Sequence, residues 1–312
     1  MHTRFLRACV TGGAGFIGGL LVDKLLRRGL DVSVLDDLSV GRRERVPAGA
    51  RLVEGDIRDA RACTKALEGC DVLFHLAARV AIRSSFEFID EDASINAHGT
   101  AVLLGAAVKA GSIRKVVSTS SMGVYSDSAE PRPIPESHPL EPVAPYGASK
   151  IFTEQVTHMM ARRHGMQSVV LRLFNTYGPG QTLSPYVGVV TIFVNRLREG
   201  LAPVIYGDGL QARDFVHVED VTDGFLAAMD SDASGITCNI GTGRPTTILQ
   251  VLETLQRVMG TRLTPVHAAL APGELRYSIA DISLARRTFG YQPRREFGAS
   301  IGDVIEEILG GA

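Results

Sequence analysis

Tyr146 and Lys150 are a pair of residues whose types and spacing suggest proton transfer. They lie four residues apart in Tyr146-Gly147-Ala148-Ser149-Lys150, so on a helix their side chains lie one above the other. A phenol loses its proton near pH ~10, and an adjacent ammonium group favours the phenolate. Upstream, Ser118-Thr119-Ser120-Ser121 can supply a hydroxyl that orients a substrate oxygen. Together these residues predict a general base that works near neutral pH.

A glycine-rich turn near the N-terminus indicates that a cofactor binds and works with this base. Gly13, Gly15 and Gly18 match G-x-G-x-x-G, between an apolar run at residues 6–10 and a helical pattern at residues 16–28. Glycine permits a tight turn and close approach of a pyrophosphate, and the helix N-terminus offers free N–H groups. The context predicts a dinucleotide site. The alternative is a glycine turn that binds nothing.

Asp36 bears on the choice between NAD and NADP. It follows the predicted strand at residues 32–35, 18 positions beyond Gly18. A carboxylate there accepts hydrogen bonds from the ribose hydroxyls and repels a 2′-phosphate, which favours NAD. Arg42 and Arg43 follow closely and keep NADP open, unless they belong to a solvated loop.

The elements that position these residues alternate between strand and helix. Strands are predicted at residues 51–55, 71–76, 115–118 and 168–173, and helices at residues 59–69, 90–109 and 146–164. This alternation predicts an α/β fold with a doubly wound parallel (Rossmann) sheet. After Asn175 the chain is predicted to leave the sheet in loops, with a helix at residues 187–197 and a strand at residues 204–206. A helix at residues 218–229 and a strand at residues 237–240 return to the sheet.

These elements predict two lobes. Residues 1–175 form the NAD-binding Rossmann domain, to which residues 216–245 return. Residues 176–215 and 246–312 form a smaller C-terminal α/β lobe for the substrate, with helices at residues 249–259, 282–289 and 299–309.

Composition excludes several classes of function. A net charge of −1 over 312 residues gives no field for nucleic acid or an acidic membrane. The four cysteines are scattered without C-x-x-C, which predicts reduced thiols in a cytoplasmic protein. The eight histidines show no metal-ligand spacing, so we expect no catalytic metal. We expect neither a signal peptide nor a membrane span.

Further motifs accompany the glycine turn and the Tyr/Lys pair. They are Gly55-Asp56-Ile57, His75-Leu76-Ala77-Ala78, Asn96 before Gly99-Thr100, residues 171–178, Arg213-Asp214-Phe215 and Asn239-Ile240-Gly241. In this combination, over nearly the whole chain, the sequence resembles the extended short-chain dehydrogenase/reductases, and within them the nucleotide-sugar epimerases and dehydratases. The resemblance implies NAD as cofactor and a nucleotide sugar, with UDP as the expected nucleotide, as substrate.

The resemblance also implies which residues form the site. Ser121, Tyr146 and Lys150 are its catalytic set. Its cofactor set comprises Gly12, Gly15, Phe16, Ile17, Gly18, Asp36, Asp37, Asp56, Ile57, Leu76, Ala77, Ala78, Asn96, Tyr146 and Lys150, with Asp56 and Ile57 at the adenine. Its substrate set comprises Ser121, Asn175, Val190, Tyr206, Arg213, Arg276 and Ser278. Within that set Asn175, Arg213 and Arg276 hold the diphosphate and Tyr206 lies against the base. For Arg213 and Arg276 the alternative is a surface ion pair.

Departures from the family patterns narrow the reaction. Dehydratases of the family carry Thr-Asp-Glu in the catalytic loop and decarboxylases carry a Glu, whereas this chain has Ser121-Met122-Gly123-Val124-Tyr125. Because no acid is present to eliminate water, 4-epimerisation of a UDP-hexose is the leading hypothesis. The 4-epimerases that accept 2-acetamido sugars have a small residue at the pocket position that corresponds to Ser278, so the resemblance implies that N-acetylated sugars are accepted. The alternatives are a UDP-glucuronate 4-epimerase, a reductase, a 3,5-epimerase or a non-catalytic NAD sensor.

Assembly is a further implication of the resemblance. Family members pair through two helices that correspond to residues 93–109 and 147–163. A four-helix interface and a homodimer are therefore expected.

Overall fold

The structure is a computed structural model that describes residues 5–80, 84–128, 130–181, 188–269 and 275–310. The elements up to residue 173 are β1 (Arg7–Thr11), α1 (Phe16–Arg27), β2 (Asp31–Asp36), β3 (Arg51–Glu54), α2 (Ala60–Leu67), β4 (Val72–His75), α3 (Ile89–Asp92), α4 (Gly99–Ala110), β5 (Lys115–Ser121), α5 (Pro145–Arg163) and β6 (Gln167–Leu173). They are followed by β7 (Asn175–Tyr177), α6 (Val189–Arg198), β8 (Val204–Tyr206), β9 (Ala212–Arg213), β10 (Phe215–His217), α7 (Val218–Asp230), β11 (Ile236–Ile240), β12 (Thr246–Thr247), α8 (Ile248–Met259), β13 (Val266–Ala268), β14 (Tyr277–Ser278), α9 (Ser283–Phe289) and α10 (Phe297–Gly310).

A seven-stranded sheet organises the larger lobe. Its strand order is β11-β6-β5-β4-β1-β2-β3, and every pairing in it is parallel. The predicted doubly wound Rossmann sheet is confirmed. The order reverses between β1 and β4, and ligands of such sheets bind beyond the carboxyl ends of the strands at this point.

Apolar side chains fill both faces of this sheet. Successive residues of a strand point to opposite faces, so Val10 joins the core beneath α1 and α7 while Cys9 joins the core beneath α2 and α4. A third core lies in the smaller lobe, where α6, α8 and α10 pack together. Outside the seven-stranded sheet, the described part of the chain forms three short sheets, β10-β7, β12-β9-β14 and β13-β8.

The cysteines and the helix lengths bear on the predictions made from composition about thiols and membrane spans. Cys9, Cys63, Cys70 and Cys238 are all free thiols and all buried. Among the residues that the structure describes, no helix has the length and apolar character needed to cross a bilayer.

Three elements differ from their predicted form. Strand β5 continues through Ser121, because its serines and threonine are buried between neighbouring strands and complete the ladder with β6. The helix predicted at residues 90–109 is α3 and α4 joined by a π turn, Ala93–His98. The loops predicted after Asn175 were wrong for Thr176 and Tyr177, which together with Asn175 form β7 against β10. The predicted start of α6 at Val187 lies outside the described residues.

The turn between β1 and α1 depends on glycine at two positions. Gly12 has φ +70°, a left-handed conformation that suits glycine. A Cβ on Gly12 would lie 2.8 Å from the backbone nitrogen of Ala77. A Cβ on Gly18 would lie 2.0 Å from the carbonyl oxygen of Gly12. The helix therefore approaches the turn more closely than any side chain at Gly18 allows.

Gly18→Ala is expected to open this turn. The added methyl group must push backbone apart, so we expect a loss of about 1–3 kcal/mol in the free energy of unfolding and weaker NAD binding. Gly302→Ala in α10 is the matched control. A Cβ there meets no atom within 4 Å, so we expect a gain of about 0.5–1 kcal/mol. Urea titration and calorimetry test both variants, and equal effects would contradict the role given to Gly18.

Candidate active site

Ser121, Tyr146 and Lys150 come together where β5 ends and α5 begins. Pro145 is the first helical residue, and its fixed φ suits that position. Gly147 lets the helix lie close to the loop after β5, because a Cβ on Gly147 would lie 2.2 Å from the carbonyl oxygen of Gly123. The start of the helix thus brings Tyr146 against the end of the strand.

Tyr146 is buried and hydrogen-bonded to Ser121. Burial raises the pKa of Tyr146 to about 12, although the bond from Ser121 acts in the opposite direction. Desolvation of the phenolate thus outweighs the polar contacts within the protein. Function as a base near neutral pH therefore needs further positive charge at the phenol.

Lys150 places an ammonium group inside the lobe. Its side chain is buried, and Nζ donates a hydrogen bond of 3.4 Å to Oγ1 of Thr119 on β5. Burial lowers the pKa of Lys150 to about 8, while the carboxylates of Glu154 and Asp92 raise it. The side chain of Lys150 therefore loses its proton at mildly alkaline pH.

Asp92 is a buried carboxylate that the sequence analysis missed. It accepts hydrogen bonds of 3.0 Å from Oγ of Ser149 and 2.7 Å from Nδ2 of Asn96. Ser149 lies in the chain between Tyr146 and Lys150, so this contact fixes the helix turn that carries them. A π turn holds Asn96, and such turns are frequent at functional sites.

Asn96 contacts backbone beside the cofactor segment. Its Oδ1 accepts from the N–H of Arg79 at 2.8 Å, and its Nδ2 donates to the carbonyl of Arg79 at 3.1 Å. Arg79 follows Leu76-Ala77-Ala78 directly. The observed contacts fix the end of that segment, and direct contact of Asn96 with a cofactor stays a prediction.

A chain of side-chain hydrogen bonds holds the same segment at the glycine turn. Oγ1 of Thr11 accepts the N–H of Ala77 at 3.2 Å and lies 2.9 Å from Nδ1 of His75. Nε2 of His75 lies 2.9 Å from Oγ1 of Thr100. Burial lowers the pKa of His75 to about 3, so the ring is neutral. This places the backbone of Ala77 directly against Gly12, so the segment after β4 packs on the glycine turn.

Asp36 lies beside the same glycine turn. Its carboxylate accepts hydrogen bonds of 2.9 Å from the N–H groups of Ala14 and Leu38. Burial raises the pKa of Asp36. The residue therefore ties the glycine turn to the loop after β2. Asp37 instead accepts from the backbone and hydroxyl of Ser39.

The remaining cofactor candidates lie beyond β2 and β3. Asp56 pairs with Arg58 at 2.9 Å, and this arginine holds the pKa of the carboxyl below its usual value. Ile57 is buried in the core beneath α4. Arg43, which kept NADP open, pairs with Glu54 at the end of β3. Its charge is therefore partly compensated within the protein.

Several substrate candidates share neighbouring strands of the smaller lobe. Arg213 on β9 and Ser278 on β14 are paired in register, and both are buried. Nη1 of Arg213 donates to the carbonyl of Ala212 at 3.0 Å. Asn175 begins β7 and donates its N–H to the carbonyl of Asp214 at 3.0 Å. The structure thus brings Asn175, Arg213 and Ser278 into one region.

The other substrate candidates differ in exposure. Arg276 forms an exposed ion pair with Asp208, the alternative that the sequence analysis left open for it. Tyr206 is 40% exposed at the end of β8, as a base-stacking residue would be. Val190 is buried in the third core, where it packs against its neighbours. Contact of Val190 with a substrate stays a prediction.

A short strap joins the catalytic loop to this lobe. The N–H of Arg276 donates to Oδ1 of Asp127 at 3.3 Å, and Ser128 forms a bridge with Tyr277. The segment that follows Ser121 is thus hydrogen-bonded to the strand that carries Ser278.

A buried ion pair anchors α5 to the sheet. Arg172 on β6 donates bidentately to Glu154 on α5 at 2.8 and 2.7 Å. Arg172 also donates to the hydroxyl of Tyr125 at 2.8 Å, and that hydroxyl donates to Asn239. The signal for this network was present, since Glu154 lies one helical turn beyond Lys150. The pairing with Arg172 could not be predicted from helical spacing, because this residue lies on the following strand, 18 positions along the chain.

Known proteins share this architecture and sequence. Residues 8–241 match the NAD dependent epimerase/dehydratase family. A UDP-glucose 4-epimerase of Mycolicibacterium smegmatis is 36% identical, over 96% of this chain and 98% of that protein. The UDP-glucose 4-epimerase of Thermotoga maritima, solved with UDP-glucose, has a TM-score of 0.93 and 35% identity and covers 98% of this chain and 99% of its own. The UDP-glucose 4-epimerase of Thermus thermophilus, solved with NAD, has a TM-score of 0.91 and 33% identity, with coverage of 98% and 100%.

The pKa of Lys150 predicts a pH-dependent stability. Between pH ~8 and ~10 the unfolded chain keeps this proton while the folded NAD-free protein releases it, so the free energy of unfolding gains up to about 1.4 kcal/mol per pH unit from Lys150 as the pH rises. Lys150→Met removes this contribution. The stability difference, variant minus wild type, is therefore largest near pH 7 and shrinks towards pH 10.

Urea titrations at pH 7, 8, 9 and 10 measure this difference. Lys109→Met, which removes an exposed lysine of α4, controls for the loss of one positive charge. A difference between Lys150→Met and wild type that stays constant with pH would contradict the buried ammonium.

Proposed function

We propose that this chain, which belongs to the NAD-dependent epimerase/dehydratase family, interconverts UDP-glucose and UDP-galactose. It is an NAD-dependent nucleotide-sugar 4-epimerase, and therefore an isomerase. The choice of these two sugars rests on the relatives named UDP-glucose 4-epimerase and on the chemistry of the site.

One observation carries the proposal. The hydroxyl of Ser121 is bonded to the phenol of Tyr146, Lys150 is buried one helical turn further along α5, and Met122 and Gly123 occupy the turn that follows Ser121. A dehydratase needs an acid to expel water, and neither of these two side chains is one. Oxidation and return at a single carbon needs only the base and a hydride carrier, so this constellation suits epimerisation.

The side chains perform the proton chemistry. Bound NAD supplies a hydride acceptor that later returns the hydride. The Tyr146 phenolate accepts the proton of the sugar 4-hydroxyl, and Ser121 donates a hydrogen bond to the same oxygen. Lys150 would hold the nicotinamide ribose and would favour the phenolate by its charge. The 4-keto sugar then rotates about its diphosphate linkage and presents its other face.

The smaller lobe binds the nucleotide in this proposal. Arg213 and Arg276 hold the diphosphate with Asn175, since a guanidinium bonds two phosphate oxygens at once. Tyr206 stacks on the base and Val190 borders the pocket. The lobe comprises residues 176–215 and 246–312, and residues 1–175 with 216–245 hold NAD.

The size of the Ser278 side chain bears on which sugars the protein accepts. It is small and buried beside Arg213, which leaves more room than a bulky residue would. We infer that 2-acetamido sugars are also substrates. Failure of the protein to convert UDP-N-acetylglucosamine would contradict this inference.

Reduced thiols favour a cytoplasmic location. The four cysteines are unpaired and buried in the folded chain, and thiols persist in reducing compartments. Cell fractionation tests this location, and recovery of the protein outside the cytoplasm would contradict it.

A homodimer fits the surface of α5. Phe152 and Met159 lie seven residues apart on one face of this helix, and they are 41% and 51% exposed. Val102 and Val108 are half-buried on neighbouring α4. We expect sedimentation equilibrium at micromolar concentration to give twice the chain mass of 33.4 kDa, and Met159→Glu to halve it. A wild-type monomer would contradict this arrangement.

Anomeric-proton NMR tests the proposed reaction. We expect the purified protein to convert UDP-glucose to UDP-galactose, and UDP-N-acetylglucosamine and UDP-glucuronate are assayed in separate tubes. Tyr146→Phe should lower turnover by about 10²–10⁴-fold and leave NAD binding intact, because only the proton acceptor is lost. Near-normal turnover of this variant would refute the role of Tyr146. No conversion of any of the three by wild-type protein supplied with NAD would refute the reaction.

A further inference from the structure

Arg276 already has an anionic partner in the protein. Its Nη1 and Nη2 donate to the two carboxylate oxygens of Asp208 at 2.7 and 2.9 Å. Arg276 lowers the pKa of Asp208 to about 2, so the carboxylate stays charged at neutral pH. The two side chains are 34% and 50% exposed, which leaves them accessible to a solvent-borne anion.

The turn that carries Asp208 fixes its position. Gly207 and Gly209, with φ of +72° and +76°, flank it on either side. Oδ1 of Asp208 accepts the N–H of Leu210 at 2.9 Å. The N–H of Gly207 donates to the carbonyl of Ala268 at 2.8 Å and joins the turn to β13. The carboxylate is therefore presented to Arg276 by a well-anchored turn.

The backbone of Arg276 is anchored separately from its side chain. Its N–H donates to Asp127, and the adjacent β14 pairs with β9 in register with Arg213. The guanidinium can therefore exchange its partner while the backbone stays in place.

A diphosphate needs the same edge of the guanidinium that Asp208 occupies. Bidentate recognition of phosphate uses two parallel N–H groups, as recognition of a carboxylate does. A carboxylate that remained beside the bound diphosphate would also repel it. We propose that Asp208 is an internal competitor of the substrate diphosphate: it holds Arg276 in the free protein and is displaced when a nucleoside diphosphate binds. This rests on the proposed role of Arg276 as a diphosphate ligand.

Asp208→Asn is expected to tighten nucleotide binding. Exposed ion pairs contribute little, so the dissociation constant of UDP should fall about two- to fivefold in NAD-loaded protein. Uridine, which lacks the diphosphate, should bind the variant and the wild type equally. If the substitution instead disrupts the turn, binding of both UDP and uridine should weaken. Comparing the two ligands therefore distinguishes competition by Asp208 from structural support by Asp208. Isothermal titration calorimetry measures all four dissociation constants.

Glu296→Gln is the matched control. Glu296 also pairs with an exposed arginine, Arg244, so its substitution removes one carboxylate without touching Arg276. It should leave the dissociation constant of UDP unchanged. If it tightens UDP as much as Asp208→Asn does, net charge explains the effect and the competition is refuted.

Arg276→Ala separates the two proposals. If it weakens UDP binding while Asp208→Asn fails to tighten it, the diphosphate role of Arg276 stands and the competition is overturned. If Arg276→Ala leaves UDP binding unchanged, the role of this arginine and the competition both fall. Tighter UDP with unchanged uridine in Asp208→Asn, together with weaker UDP in Arg276→Ala, supports both.

Discussion

The burial of the Lys150 charge is the constraint on which the site depends. An ammonium removed from water is costly unless anions and acceptors surround it. The chain meets this cost with Thr119 from the sheet, Glu154 one helical turn away and Asp92 from the helix opposite. Glu154 is itself fixed by Arg172. The position of Lys150 is thus set from three elements, one helical turn beyond Tyr146 on α5.

The parallel sheet explains why chemistry and cofactor meet. The carboxyl ends of β1, β2, β4 and β5 lie at one edge, so Gly12, Asp36, Ala77 and Ser121 share it without being near in sequence. The smaller lobe closes on this edge through the strap bonded to Arg276. A few hydrogen bonds thereby connect the segment after the catalytic Ser121 candidate with the strand that carries the substrate candidates.

The sequence alone predicted the features that depend on residues close together in the chain. The Rossmann sheet, the glycine turn and the Tyr146/Lys150 face follow from periodicity and spacing within a few residues, and the structure agrees with them. Contacts between distant segments were missed, as Asp92 with Ser149 and Glu154 with Arg172 show. The rise that burial causes in the pKa of Tyr146 was also missed, because desolvation depends on how many atoms cover a side chain and spacing does not report this.

Transfer of the sugar C4 hydrogen tests the central claim most directly. UDP-glucose carrying deuterium at C4 is incubated with the protein in ordinary water, and the UDP-galactose formed is examined by mass spectrometry and NMR. If Tyr146 moves only the hydroxyl proton and the hydride returns to the same carbon, the product keeps its deuterium at C4 in full. Product that carries hydrogen from water at C4 would contradict transient oxidation with internal return.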